Sequence, residues 1–309
     1  MRLANGLLSA MAFLVVSCAS ISALTFLGCT RAAEQRPSKP AEKSEPAAVA
    51  ETEKTERPAA QPAGPVETVL KSIPDSPEGM PPAPKVSTFA PAEDLAIQAD
   101  KYIKNLEKTI VDDDEFQYIQ EKIAKEANTL IIITLALGLH DEPNKYKDRA
   151  GALMQAAALL AAVEDLEAAK KAVAAVREAA DGKRKSNMEL KWGRAASLPE
   201  LMKQVPLVNT KLKRHVKGER FKSKAKLTAG YTAVIAAIAQ GSMADTSEAK
   251  DAGQVKQWFE FSVAMRDSAG ALNAAIHKGD EPAAAEAMKK LAQSCNDCHA
   301  VFHPEAEIE

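Results

Sequence analysis

The prolines of this 309-residue chain are segregated, and that division limits the fold more than any other feature. Twelve of the seventeen lie between Thr30 and Ala92: Pro37, Pro40, Pro46, Pro58, Pro62, Pro65, Pro74, Pro77, Pro81, Pro82, Pro84 and Pro91. Proline removes a backbone donor and pushes the residue before it out of the helical region. Between these prolines stand Ala, Glu, Lys, Ser and Thr, with almost no large apolar side chain. Such a stretch cannot bury enough surface to offset its ordering entropy, so residues 30–92 are expected to be a disordered Pro/Ala/Glu/Lys linker. Beyond it Ala, Leu, Lys and Glu dominate, and aromatics make up only 5% of the chain. Ala and straight-chain residues lose the least rotamer freedom in a helix. An all-α fold follows, and a net charge of −2 gives no reason to expect a nucleic-acid partner.

Helical periodicity predicts two sets of four helices. The first covers about 93–111, 114–139, 145–163 and 165–181; the second covers about 197–217, 220–241, 247–278 and 281–303. Ser197 with Glu200 reads as a capping box, Gly218, Gly241 and Gly279 as terminators, and Asp280 with Pro282 as a helix start. The sets resemble a degenerate repeat: Phe116 matches Phe221, Gly138 matches Gly241, and Lys147-Asp148-Arg149-Ala150-Gly151 matches Lys250-Asp251-Ala252-Gly253. The expected organisation is therefore a helical bundle at 93–190 followed by a second at 191–309.

At the other end, Arg2 precedes an apolar stretch from Leu7 to Leu27, the pattern of an export signal. The stretch is also long enough to be an uncleaved anchor. Phe26-Leu27-Gly28-Cys29 resembles a lipobox, with Cys29 as the lipidated residue. Val15-Val16-Ser17-Cys18 fits less well, because cleavage there would leave a second apolar run. Residues 1–29 are read as signal or anchor, and either outcome puts the remainder in the periplasm, tethered to a membrane.

Of the four cysteines, two fall in that segment and two stand three apart near the C-terminus, in Cys295-Asn296-Asp297-Cys298-His299. Cys-x-x-Cys-His is the attachment signature of c-type haem. On a helix, Cys295, Cys298, His299 and Phe302 occupy i, i+3, i+4 and i+7 and share one face. Two thiols can bond the porphyrin vinyl groups while the adjacent imidazole reaches the iron and Phe302 packs beside the ring. Leu291 and Met288 continue that face into the interior. A zinc site would need further ligands at suitable spacing, and a thioredoxin-like dithiol would need a strand before its helix. The motif thus calls for one covalent haem c.

A Cys-x-x-Cys-His on the last helix of an antiparallel four-helix bundle resembles the cytochrome c′ family, over roughly Ser197 to Pro304 and more loosely over the haem-free copy before it. The usual Arg after the Phe is replaced here by His303. The resemblance implies a sixth iron position that is either open or filled by a Met of the first helix. Leu201-Met202-Lys203 resembles the ligand-bearing segment. A competing alignment puts Ala225 opposite the iron and leaves the site open.

The expected function is one-electron transfer to or from a redox partner protein, with His299 on the iron. No array of acid, base and nucleophile accompanies the motif, so an enzyme is not expected. Two rivals stand beside it: open-site binding of a small gas such as nitric oxide, and a docking module for a membrane redox complex. His277 at a helix end suits the dipole. His215 lies in a basic run, Lys211 to Arg220, that is either a solvated face or a docking patch for an acidic partner. Val255, Trp258, Phe259, Met265, Leu272 and Ile276 recur at helical spacing and should pack inward, with Trp258 or Phe261 at the haem edge.

Overall fold

A computed structural model of the chain describes residues 70–110 and 116–305. Helices are the regular secondary structure of the described residues, with no strand among them. Cys18, Cys29 and the apolar stretch between Leu7 and Leu27 lie outside them. No helix among the described residues is long and apolar enough to cross a membrane.

The first four helices are α1 (Ala92–Thr109), α2 (Phe116–Gly138), α3 (Ala150–Ala161) and α4 (Leu166–Ala180). Five follow: α5 (Leu198–His215), the short α6 (Glu219–Ser223), α7 (Ala225–Ser242), α8 (Ala252–Lys278) and α9 (Glu281–Phe302). Local chemistry explains most of the boundaries. Asp165, Asp251 and Asp280 cap α4, α8 and α9, each side chain accepting a hydrogen bond from the backbone three residues on. Gly279 closes α8 in the left-handed region at φ +68°.

Two signals act otherwise than the spacing suggests. Ser197 precedes α5 but makes no side-chain cap. Its backbone N–H, which Glu200 would take in a capping box, instead donates to Asn128 Oδ1 of α2 at 2.8 Å. Gly241 does not end α7, which runs one residue further. A Cβ there would meet Ile132 Cδ1 at 2.7 Å, so its smallness serves the close passage of α7 over α2.

Neighbouring helices pack in the same order in both sets, α1 on α2 on α3 on α4 and α5 on α7 on α8 on α9. The sets are joined by α2 against α5 and α7, and by α1 against α7. One hydrophobic core runs through both, from Leu95 and Ile103 through Ile132 and Leu153 to Ile235, Leu272 and Leu291. α7 is buried along nearly its whole length, which is why its sequence is apolar on every side.

The disordered linker expected over residues 30–92 does not describe residues 70–92. From Leu70 to Ala90 the chain is a strap laid on the helices, with Ile73, Val86, Phe89 and Ala90 buried. Ser76 Oγ donates to Trp192 O, Asp75 pairs with Lys191, and both Ser87 donors reach Asp141. Proline-rich composition misled because an extended strap needs few apolar residues when its hydrogen bonds and a handful of anchors are supplied by the body it crosses.

Candidate functional site

α5 packs against α7, while α9 packs along α8, and a cavity of about 510 Å³ is left among them. That size lies within the range of cofactor and ligand sites. Each wall is a helical face read at i, i+3, i+4, i+7. From α5 come Met202, Val205, Pro206, Asn209, Thr210, Lys213 and Arg214; from α8, Trp258, Phe261, Ser262 and Met265. α7 contributes Ala239 and Ser242, and α9 contributes Ser294, Cys295, Cys298 and His299.

Both thiols and the imidazole of the motif therefore open onto one space, with Met202 on another of its walls. Cys295 and Cys298 are not joined in a disulfide. Burial raises the Cys295 thiol above its ordinary pKa and pushes Cys298 up to about 11, with the neighbouring Cys295 adding to the latter. An environment that penalises a thiolate accommodates a neutral sulfur, as in a thioether. Burial, and then His303, lowers the His299 pKa. Its imidazole is accordingly neutral at pH 7, with a lone pair to offer.

Three buried polar atoms on these walls have no hydrogen-bond partner: Asn209 Oδ1, Ser242 Oγ and His299 Nδ1. Orphaned polar atoms inside a protein are uncommon, and a group of three on one cavity points to something the cavity holds. The residues fit a haem: two sulfurs and an imidazole on one helix, mainly apolar walls, and two cations, Lys213 and Arg214, suited to carboxylates. Among the described residues no group of three or more His, Cys, Asp or Glu is placed to hold a bare metal ion.

Phe302 is not on the cavity wall. It sits edge-on to Trp258, ring centroids 5.2 Å apart, and to Phe261 at 6.4 Å, and so braces the two aromatics that are on it. Cys298 and Phe302 both pack on the small cluster of Leu198, Met243, Trp258 and Phe259. Ala225 is at the start of α7 and does not line the cavity. His303 caps the end of α9, with its ring centroid 5.9 Å from that of His299 and with Glu248 and Glu305 beside it.

The other histidines are placed more closely than their sequence positions suggest. His140 is buried, its Nε2 3.0 Å from Ala90 O, and its Nδ1 accepts from the Glu142 backbone. His215 turns inward to Thr228 and Tyr231. His277 meets a buried acid, Asp94.

Sequence reasoning missed most of the remaining wall residues, and four of them are instructive. Met265 was placed among inward-facing positions of α8, and the Trp258, Phe261, Ser262, Met265 spacing could have marked the face as continuous with a site. Asn209 and Ser242 had no signal of their own. Pro206 had one: inside α5 it leaves the Met202 carbonyl without its usual donor, removing a rung of the helix beside the cavity.

Comparison of the chain with protein-family models, with curated proteins and with solved structures gives no match in any of the three.

Proposed function

We propose that this chain is an exported c-type cytochrome that carries one haem and passes single electrons. Cys295 and Cys298 hold the group through thioethers and His299 ligates its iron, inside an antiparallel four-helix bundle of α5, α7, α8 and α9. The observation that carries the reading is the convergence of both thiols and the imidazole on one mainly apolar cavity of about 510 Å³. The haem supplies the redox couple. The protein fixes its position, and the cavity walls, together with the axial ligand, set how readily it is reduced. Trp258, Phe261 and Met265 keep water from one side, and Lys213 and Arg214 provide positive charge for the carboxylates. The reading is of an electron carrier and not of an enzyme. The N-terminal segment, through Cys29 or as an uncleaved anchor, ties the carrier to a membrane.

The test is a pyridine haemochrome assay on the exported full-length protein. One haem per chain is expected, and none in Cys295→Ser/Cys298→Ser. A colourless wild-type protein with both thiols open to alkylation removes the reading. The ferric spectrum of the same sample separates electron transfer from gas binding, since a Met-ligated iron is low-spin and an open site is high-spin.

A further inference from the structure

Residues 211–226 contain eight Lys and Arg and a single acid, Glu219, in a chain whose net charge is −2. All eight side chains are exposed: Lys211, Lys213, Arg214, Lys217, Arg220, Lys222, Lys224 and Lys226. The concentration is too large for helix capping to explain. The dipole of α5 accounts for Lys213 and Arg214 in its last turn. It does not reach Lys217, Arg220, Lys222 and Lys224, which lie past that turn on the elbow between α5 and α7.

Nor is the charge cancelled locally. Lys226 pairs with Glu93, whereas Lys217, Arg220, Lys222 and Lys224 form no ion pair with any described residue. The half-buried His215 registers the resulting field. Burial lowers its pKa first, and Arg220, Lys224, Arg214 and Lys101 push it the same way. At one end this face merges with the site, because Lys213 and Arg214 also line the cavity beside Cys295.

The apolar residues of the same segment settle what kind of surface this is. Leu212, Val216 and Phe221 point into the core, at most 7% exposed. A helix that lies in a lipid interface turns such residues outward. A cationic face without an apolar anchor matches an acidic protein surface, where charge complementarity sets encounter rate and orientation.

We propose that the exposed face of residues 211–226 is the docking surface for a redox protein whose own electron-exchange site is ringed by acidic side chains. The inference rests on the haem reading, since it is the haem edge that docking would bring within reach of the partner.

The experiment uses the full-length, haem-loaded protein anchored in phosphatidylcholine vesicles. Its reduced form is oxidised by hexacyanoferrate(III), a small anion, across a range of salt. The comparison is Lys217→Glu/Arg220→Glu/Lys222→Glu/Lys224→Glu, with the four Gln substitutions as a milder companion should the reversed charges impair folding. None of these residues lines the cavity. Matching absorption spectra are required first, so that a colourless wild type counts against the haem and not against the face. In wild type the rate is expected to fall about tenfold as salt rises, and to fall at low salt when polyglutamate is added. In the charge-reversed protein the low-salt rate is about tenfold lower, rises with salt and ignores polyglutamate. A variant indistinguishable from wild type overturns the proposal. So does polyglutamate without effect on wild type; if phosphatidylglycerol vesicles block in its place, the face belongs to a membrane.

Discussion

His277 Nε2 stands 2.7 Å from Asp94 Oδ2, joining the last turn of α8 to the first turn of α1 across 183 residues of sequence. Asp94 is only 2% exposed, and the same oxygen accepts a hydrogen bond from Asn273 Nδ2 at 2.8 Å. Asn273 also donates to Ala229 O and Thr232 Oγ1 of α7. One buried carboxylate thus fastens both helix sets.

Replacing Asp94 with Ala leaves Asn273 and His277 facing a void. Because the His277 side chain is half exposed, its share is screened. A loss of about 2–3 kcal/mol is expected for the cluster as a whole. It should appear as a lower urea midpoint with an unchanged slope. A change below about 0.5 kcal/mol would show that the carboxylate is not a fastener.

The strap offers a second check. A Cβ on Gly193 would collide with Pro74 O and lie 2.6 Å from Ile73 Cγ2. Backbone cannot yield as a side-chain tip does, so Gly193→Ala must lift the strap or distort the loop. A destabilisation of about 1–3 kcal/mol is expected. Limited proteolysis should then cut between residues 70 and 90 several-fold faster than in wild type. Equal cleavage rates would mean that the strap is not held at Gly193.

The fold was legible wherever a single element decided it. Among the described residues, eight of the nine helices lie where periodicity puts them, and Asp251, Asp280 and Gly279 act as their types suggest. What the sequence concealed was arrangement between elements. Asn128 displaces Glu200 at the α5 cap, and Gly241 reads as a stop although its role is to let α2 approach. Neither can be known before the partner helix is placed. At the site, the motif carries its own helical spacing, so Cys295, Cys298 and His299 could be singled out. Asn209 and Ser242 could not, because each owes its place to the neighbouring helices and not to any local pattern.

Acid should loosen the strap at a defined point. The Asp141 carboxylate accepts from Ser87 Oγ at 2.6 Å and from Ser87 N at 3.0 Å. These bonds, the hydroxyl first, hold its pKa at about 2 instead of 3.8. A carboxyl whose folded pKa is depressed stabilises the fold above its unfolded value and stops doing so as pH falls through the folded one. Asp141→Asn should therefore have a lower urea midpoint than wild type at pH 5. That gap should close between pH 3.8 and about 2. A gap independent of pH would assign the effect to something other than the carboxylate charge.

Two methionines line the cavity, and they are not equivalent. Met265 belongs to α8, which packs directly along α9. Met202 belongs to α5, which packs on α7, with the cavity lying between it and α9. Were a haem bound, a sixth ligand would have to come from a helix facing α9 across the cavity, and α5 is so placed. The rung missing at Pro206 also gives the Met202 turn room to adjust. In haem-loaded protein, Met202→Ala is expected to convert a low-spin ferric spectrum to high-spin. It should also lower the reduction potential by on the order of 100 mV, because a Met ligand raises it. Met265→Ala should leave the spin state alone. The reverse pattern would move the ligand to α8, and a wild type already high-spin and quick to bind nitric oxide would favour the gas-binding rival.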